Sequence, residues 1–321
     1  MWPLIKLTRP LNLLIVVYTM YAMRYGVIGT LIEPAGFTFQ FPNLQFALLV
    51  LSVVLIAAAG NVINDYFDSK IDTINKPEEV IVGFGVTRRQ AMAAHLVMSL
   101  VGLALGTYLA WSIGHINLAG IHLFCSATLW YYSSVFKRQF LLGNVVVALL
   151  AALVPLMVAL YELPLLSLRY SEDLVKHFQS VEQANFYIKI IYYWVLGFAG
   201  FAFLLNLIRE IVKDFADIPG DREQGRATLP LVLGYQYTNI ALTLLVLITA
   251  AMVTWVYVTQ IEHIPSLAYF AVFFYLPLAS VLFIVWRYPQ RNGYIRAGHL
   301  VKVVMIAGVT YSFLIKQMLN T

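Results

Sequence analysis

Nine runs of about 20 apolar residues occupy most of this 321-residue chain, near 11–33, 44–64, 90–111, 116–135, 140–161, 186–208, 236–259, 264–286 and 297–317. A helix of about 20 apolar residues spans the hydrocarbon core of a bilayer. Nine of them make the expected fold all-α: a polytopic membrane protein, a nine-helix transmembrane bundle. Charge agrees, since 12% of the residues are Asp, Glu, Lys or Arg, against about 25% in soluble domains. No low-complexity linker divides the chain, so residues 1–321 read as one domain. The first run follows Lys6, Arg9 and Pro10 and has no small-residue cleavage site, so it reads as a span and not as a leader. The single cysteine, Cys125, excludes an intrachain disulfide and a cysteine-rich zinc site. The net charge of +5 does not point to nucleic acid, because the basic residues sit between apolar runs.

Their distribution orients the chain. Fifteen of the lysines and arginines, from Lys6 and Arg9 to Arg296, fall at the N-terminus or after spans two, four, six and eight. Arg169, Lys176, Lys189 and Lys316 fall on the opposite side. By the positive-inside bias the N-terminus is cytoplasmic and, with nine spans, the C-terminus is outside. The longest outer connection, near 162–185, reads as a small surface segment.

Two acidic stretches stand out. Asp65, Asp68 and Asp72 are spaced i, i+3, i+7, and Asp214, Asp217 and Asp221 repeat that spacing about 150 residues later. On an α-helix these positions share one narrow stripe. Three carboxylates on one helical face repel one another unless a cation lies between them. Both stretches follow an even-numbered span and precede a loop and another span, a weak internal repeat. Their place at one end of the membrane, with hard oxygen donors, suits magnesium, which completes its shell with water and substrate phosphate. Two such faces opposite each other could hold Mg2+ and a diphosphate between them.

Basic and amide side chains lie near. Arg209 and Lys213 are i, i+4 on the second acidic stretch, and Lys137 and Arg138 close span four. Metal with Lys and Arg would stabilise a departing diphosphate, although a positive-inside anchor explains Lys137 and Arg138 equally well. Asn61 and Asn64 either donate to phosphate or ligate metal. Arg24, within span one, either contacts substrate or pairs inside the bundle. His299 and Lys302, at the start of span nine, read as capping residues or interface anchors, His95 and His122 as hydrogen-bonded packing residues. Of Tyr66, Phe67, Tyr131 and Tyr132, most read as an interfacial aromatic belt. Thr87 with Gln90 forms a capping box for span three.

Asn64-Asp-Tyr-Phe-Asp-Ser-Lys-Ile-Asp72 and Lys213-Asp-Phe-Ala-Asp-Ile-Pro-Gly-Asp221 resemble the two aspartate-rich motifs of UbiA-type membrane prenyltransferases. Arg9-Pro10, Thr228-Leu-Pro230 and the nine-span layout fit the same family, over nearly the whole chain. The resemblance implies a helix bundle around a central cavity that opens sideways to the bilayer. It implies Mg2+-dependent transfer of a prenyl group from a polyprenyl diphosphate to an acceptor. Carried over, Asp65, Asp68, Asp214 and Asp217 would be catalytic and would hold magnesium and diphosphate, with Asp72 and Asp221 completing the metal site or activating the acceptor. Arg209, Lys213 and Lys137 would grip the diphosphate. The chain departs from many relatives at Asn75–Gly83, where Glu78 and Glu79 stand in a loop that is elsewhere basic and proline-rich.

Within the family the chain looks most like the geranylgeranylglycerol-phosphate geranylgeranyltransferase branches, whose acceptor is a glycerol-phosphate ether lipid. An aromatic acceptor of quinone biosynthesis is the main rival. A cation transporter using the aspartates as a pathway is the rival from another class, and it would spread carboxylates through the membrane depth. The expected location is the inner or plasma membrane of a prokaryote, with the active site on the cytoplasmic side and no nucleic-acid partner.

Overall fold

The computed structural model describes residues 2–319, and for His177 and residues 316–319 the backbone alone. The described chain is almost entirely helical. A short α1 (Trp2–Leu7) leads into α2 (Pro10–Ala35), α3 (Asn43–Asn75), α4 (Arg88–Ser112), α5 (Ala119–Ser134), α6 (Leu142–Phe178) and α7 (Val181–Glu223). A one-turn α8 (Leu229–Val232) precedes α9 (Gly234–Ile261), α10 (Ile264–Arg287) and α11 (Arg291–Leu319).

Eight of these are long and apolar enough to cross a membrane. The span expected at 116–135 is helical but shorter: α5 has 16 residues, about 24 Å at the rise of an α-helix. Its N-terminal end is a separate 3₁₀ turn at Ile116–Leu118, and it stops at Val135 before another at Phe136–Arg138. The count of nine full-length spans is therefore not met among the described residues, and Asn320 and Thr321, on which the position of the C-terminus depends, lie outside them.

The surface segment expected near 162–185 is instead helix, broken only at Gln179–Ser180. Leu163, Leu166, Tyr170, Leu174 and Phe178 recur at helical spacing and pack into the core. The Ser, Arg, Glu and Asp between them occupy the outer face and gave the stretch its loop-like composition.

Lipid-facing and buried positions separate as membrane solvation requires. Large apolar side chains such as Leu100, Trp111, Leu244, Trp255 and Phe283 point outward. Two apolar clusters fill the interior. One joins α2, α3, α6 and the first half of α7; the other joins the second half of α7 to α9, α10 and α11. Thr87 caps α4 reciprocally with Gln90, its Oγ1 accepting from the Gln90 N–H at 3.2 Å and its own N–H donating to Gln90 Oε1 at 3.0 Å.

Polar side chains inside the bundle are tied to partners. His122 meets Ser52 Oγ at 3.0 Å and Tyr161 Oη at 3.1 Å, linking α5 to α3 and α6, and His95 meets the Ala59 carbonyl at 3.0 Å. Arg24, on a π-helical turn at Ala22–Ile28, is 1% exposed. Its guanidinium donates to the Phe41 carbonyl at 2.6 Å, lies 3.6 Å from Glu162 Oε2 and covers the Phe46 ring at 4.4 Å. Of its two sequence readings, internal pairing is the one the structure supports.

α3 and α7, like the 37-residue α6, are longer than one crossing needs. α3 has 33 residues and α7 has 43, about 50 and 65 Å, against a hydrocarbon core of about 30 Å. Both acidic stretches lie on the last turns of these long helices.

Candidate active site

Arg9 adopts a left-handed backbone (φ 55°) immediately before Pro10. A non-glycine residue held there stores strain of about 1–3 kcal/mol, and the geometry sends its guanidinium back onto α3. Arg9 Nη2 donates to Asp65 Oδ1 at 2.5 Å, and the Asn61 amide donates to the Thr8 carbonyl at 2.9 Å. One turn further, Asp68 is 3% exposed and holds two cations. Lys137 Nζ is ion-paired with its Oδ2 and also donates to Asn64 Oδ1 at 3.1 Å, while Arg226 Nη2 donates to its Oδ1 at 2.7 Å.

Arg226 also reaches the second acidic stretch, with Nη1 3.5 Å from Asp221 Oδ1. One guanidinium thus joins the two motifs. A second bridge comes from Asn75, the last residue of α3. Its Oδ1 accepts from the Gly220 N–H at 2.8 Å and its Nδ2 donates to the Asp217 carbonyl at 3.2 Å. Glycine is required at 220 for this approach: a Cβ there would stand 2.7 Å from both terminal atoms of the Asn75 amide.

Asp214 accepts from Asn144 Nδ2 at 2.8 Å. Asn144 lies in the first turn of α6, whose neighbouring Gly143 packs tightly on the 136–137 turn; a Cβ there would meet Lys137 Cα at 3.0 Å and the Phe136 carbonyl at 3.1 Å. The tight fit seats Lys137 over Asp68. Between Arg209 and Lys213 sits Glu210, buried, at 2.8 and 3.7 Å from their nitrogens.

These groups border two adjoining spaces. A small polar cavity of about 20 Å³ is lined by Asp214, Asp217, Asp221, Lys137, Lys213, Arg226, Tyr132 and Thr228, among others. Membrane-side of it, an apolar cavity of about 710 Å³ runs between the helices. Asn61 and Arg209, one turn before Asp65 and Lys213, belong to the wall of this larger space.

Electrostatics follow from burial and neighbours. Burial lowers the pKa of Lys137, and Lys213 and Arg226 push the same way; Asp68 opposes them only in part. Burial also acts to lower that of Arg226, but Asp68 and Asp221 more than reverse it, and the guanidinium is held charged.

Among the described residues no group of three or more acidic or histidine side chains is gathered in a metal-binding cluster. Arg9, Lys137, Arg226 and Asn144 engage four of the six carboxylates, those of Asp65, Asp68, Asp221 and Asp214. The donor set nonetheless fits a hard divalent ion. It is all oxygen, as magnesium prefers, and Asp217 Oδ1 is buried without a hydrogen-bond partner, as is Thr228 Oγ1 beside the same cavity.

Most of the expected site residues meet at this one end of the bundle. Asp72 is half-buried and without a direct side-chain partner among the described residues. Arg138 is the exception: it is exposed, and its backbone is what is engaged, the N–H donating to the Val135 carbonyl at 3.2 Å and the carbonyl accepting from the Ala227 N–H at 3.0 Å. Of the aromatic residues, Tyr131 is 56% exposed in keeping with a belt, whereas Tyr132 is buried against the polar cavity. Tyr66 carries the Arg88 guanidinium 4.1 Å above its ring, and Phe67 packs edge-on to Trp130. Glu78 and Glu79 are exposed on a 3₁₀ turn. Lys302 does not anchor at the interface; it lines the large cavity and donates to Asn12 Oδ1 at 3.3 Å, while His299 is exposed.

Arg9, Asn75, Asn144, Glu210 and Arg226 were not reached as site residues from sequence. Arg9 and Glu210 lay inside stretches already singled out. The other three depend on which loops and helix ends meet, for which the sequence carries no local signal.

The sequence profile of the UbiA prenyltransferase family matches residues 35–299. A digeranylgeranylglyceryl phosphate synthase from Thermococcus kodakarensis is 30% identical over 328 aligned positions, which cover 98% of this chain and 98% of that protein. A solved structure of digeranylgeranylglyceryl phosphate synthase matches with a TM-score of 0.57 at 23% identity, over 97% of this chain and 99% of that one. A UbiA homolog from Archaeoglobus fulgidus, bound to DMAPP and Mg2+, matches with a TM-score of 0.55 at 16% identity, over 98% and 99% of the two chains. At these identities the structural likeness speaks to the fold.

Proposed function

Because this chain belongs to the UbiA prenyltransferase family, and is an integral membrane prenyltransferase, we propose that it joins a geranylgeranyl group, from its diphosphate, to a glycerol-phosphate ether lipid. The observation that carries this reading is the convergence of Asp68 and Asp221, from the two motifs, on Arg226 in the small polar cavity, at the end of the bundle where Asn61 and Arg209 wall the 710 Å³ apolar cavity. The acceptor is inferred from the name of the Thermococcus relative.

In this reading the allylic C1–O bond of the donor breaks, and its electron pair leaves with the diphosphate. The acceptor hydroxyl oxygen forms the new C–O bond and releases its proton. Lys137, Lys213 and Arg226 bind and orient the diphosphate, a placement favoured by their position around the polar cavity. The apolar cavity holds the prenyl chains and excludes water from the reacting carbon. Asp65, Asp68, Asp214 and Asp217, with Asp72 and Asp221 beside them, would hold divalent metal, as magnesium is held with DMAPP in the Archaeoglobus homolog. Metal bound there supplies charge neutralisation of the leaving diphosphate. The clustering of carboxylates at one end of the bundle disfavours the transporter reading. Lys and Arg are concentrated at that same end, which favours a cytoplasmic-side active site by the positive-inside bias, and a prokaryotic plasma membrane is the proposed location.

The test is purified enzyme with geranylgeranyl diphosphate, Mg2+ and either geranylgeranylglycerol phosphate or a hydroxybenzoate acceptor. The expected result is release of diphosphate and a lipid product of the summed mass with the phosphate acceptor, both abolished by chelation. A product with the aromatic acceptor alone would move the chain to quinone chemistry, and no metal-dependent release with any acceptor would remove the enzyme reading.

The ion pairs across the site give a binding prediction. Metal and diphosphate must displace Lys137 and Arg226 from Asp68 together, since each supplies the countercharge for a group the other frees. Mg2+ with pyrophosphate should therefore raise the melting temperature by several degrees, as a ligand at about 100 times its Kd adds about 2.7 kcal/mol of stability. Either component alone should do far less. Equal shifts with pyrophosphate in the presence and absence of metal would count against the shared site.

A further inference from the structure

Lys302 is set apart from the other cations that border the two cavities. Lys137 and Arg226 face Asp68, and Lys213 and Arg209 face Glu210. Lys302, in the apolar helix α11, has a neutral partner, the Asn12 carbonyl oxygen at 3.3 Å. Among the described residues no carboxylate lies within ion-pairing distance of it. A charge within a membrane helix without a counterion is costly, and it is retained where a cavity or a ligand meets it.

The surroundings favour an anion. Lys302, Arg209, Asn12, Asn61 and Asn206 form the polar end of the otherwise apolar 710 Å³ cavity. The charges that act on Lys302 are mainly positive, from Arg209, Arg9 and Lys76, with Glu210 opposing. Arg209 uses Nη1 toward Glu210, which leaves its remaining N–H groups for another acceptor. None of these five residues lines the small polar cavity, where Asp214, Asp217, Asp221, Lys137, Lys213 and Arg226 are found.

We propose that Lys302, with Arg209 and the Asn12 amide, forms a second anion subsite that binds the phosphate monoester of the lipid acceptor, separate from the diphosphate subsite of the donor. The inference rests on the prenyl-transfer reading and adds what selects the acceptor. Two anions then bind at two addresses. The acceptor's alkyl chain lies in the apolar cavity while its phosphate is held at the rim, which presents the neighbouring hydroxyl to the donor carbon.

The experiment compares wild type, Lys302→Gln and Lys302→Arg as full-length enzyme in bilayer discs, with geranylgeranyl diphosphate and Mg2+. The KM for the phosphate-bearing acceptor is expected to rise roughly 10–100-fold in Lys302→Gln, as for loss of one charged hydrogen bond, and to recover substantially in Lys302→Arg. The donor KM is expected to stay within about twofold, against the tenfold or larger change set by that same bond. Glycerol phosphate, as a probe without the alkyl chain, should inhibit wild type competitively against acceptor and not against donor. An acceptor KM unchanged in Lys302→Gln, a rise confined to the donor KM, or competition of glycerol phosphate with the donor would each overturn the proposal. Failure of the prenyl-transfer reading looks different, since wild type itself would then release no diphosphate.

Discussion

Asp68→Asn is expected to lower prenyl-transfer turnover by about 10²–10³-fold, the usual effect of removing one group that stabilises developing charge. Asp68 is where the first motif meets the rest of the site: it is 3% exposed and pairs with both Lys137 and Arg226. Asparagine is the informative change. Alanine would remove both oxygens that Lys137 and Arg226 share, and breaking a buried pair in this way costs about 3–5 kcal/mol and confuses a fold defect with a chemical one. The Asn side chain keeps an oxygen for Arg226 and loses the negative charge and the acceptor for Lys137, which retains Asn64 Oδ1. The stabilisation by Mg2+ with pyrophosphate should vanish in the same variant, as read by melting in detergent. Turnover within about threefold of wild type, against the hundredfold expected for such a group, would remove Asp68 from the site.

Gly220→Ala is expected to be nearly as damaging although it adds one methyl group and touches no charge. The new Cβ would stand 2.7 Å from the Asn75 amide, which bridges α3 and α7 through Gly220 N–H and the Asp217 carbonyl. The amide must move, and the buried polar groups it leaves cost about 1–3 kcal/mol. The motif helices then shift relative to each other. A displacement on the order of 1 Å lowers rates about 100-fold, so turnover should fall by that factor while donor binding weakens. Asn75→Ala provides the comparison, since it removes the bridge without crowding. If Gly220→Ala is impaired and Asn75→Ala is not, crowding alone is responsible and the bridge has no part in positioning.

The aspartate spacing and the length of the apolar runs were legible because they depend on helical period alone. Both aspartate rows do lie on helices, at the same end of the bundle. The polar cavity was only half legible. Lys137, Lys213 and the second aspartate row carry charge in an apolar sequence and draw notice. Asn75, Asn144 and Arg226 act by meeting a distant helix, and their own positions in the sequence do not mark that encounter. Lys302 was misread for a related reason: a lysine near a helix end looks like an anchor until the opposite wall of the cavity is known. The stretch 162–178 was misread because hydrophilic residues on its outer face concealed an inner face of Leu163, Leu166 and Leu174.

The overhang of α3 and α7 has a consequence for where such a protein can work. The candidate site stands on rods that continue beyond the last apolar turns, while the large apolar cavity lies lower down. A host membrane that thickens or thins by a few ångströms slides along those rods without altering the distances between the chemical groups at their tips. Turnover should thus be insensitive to the acyl length of the surrounding lipid.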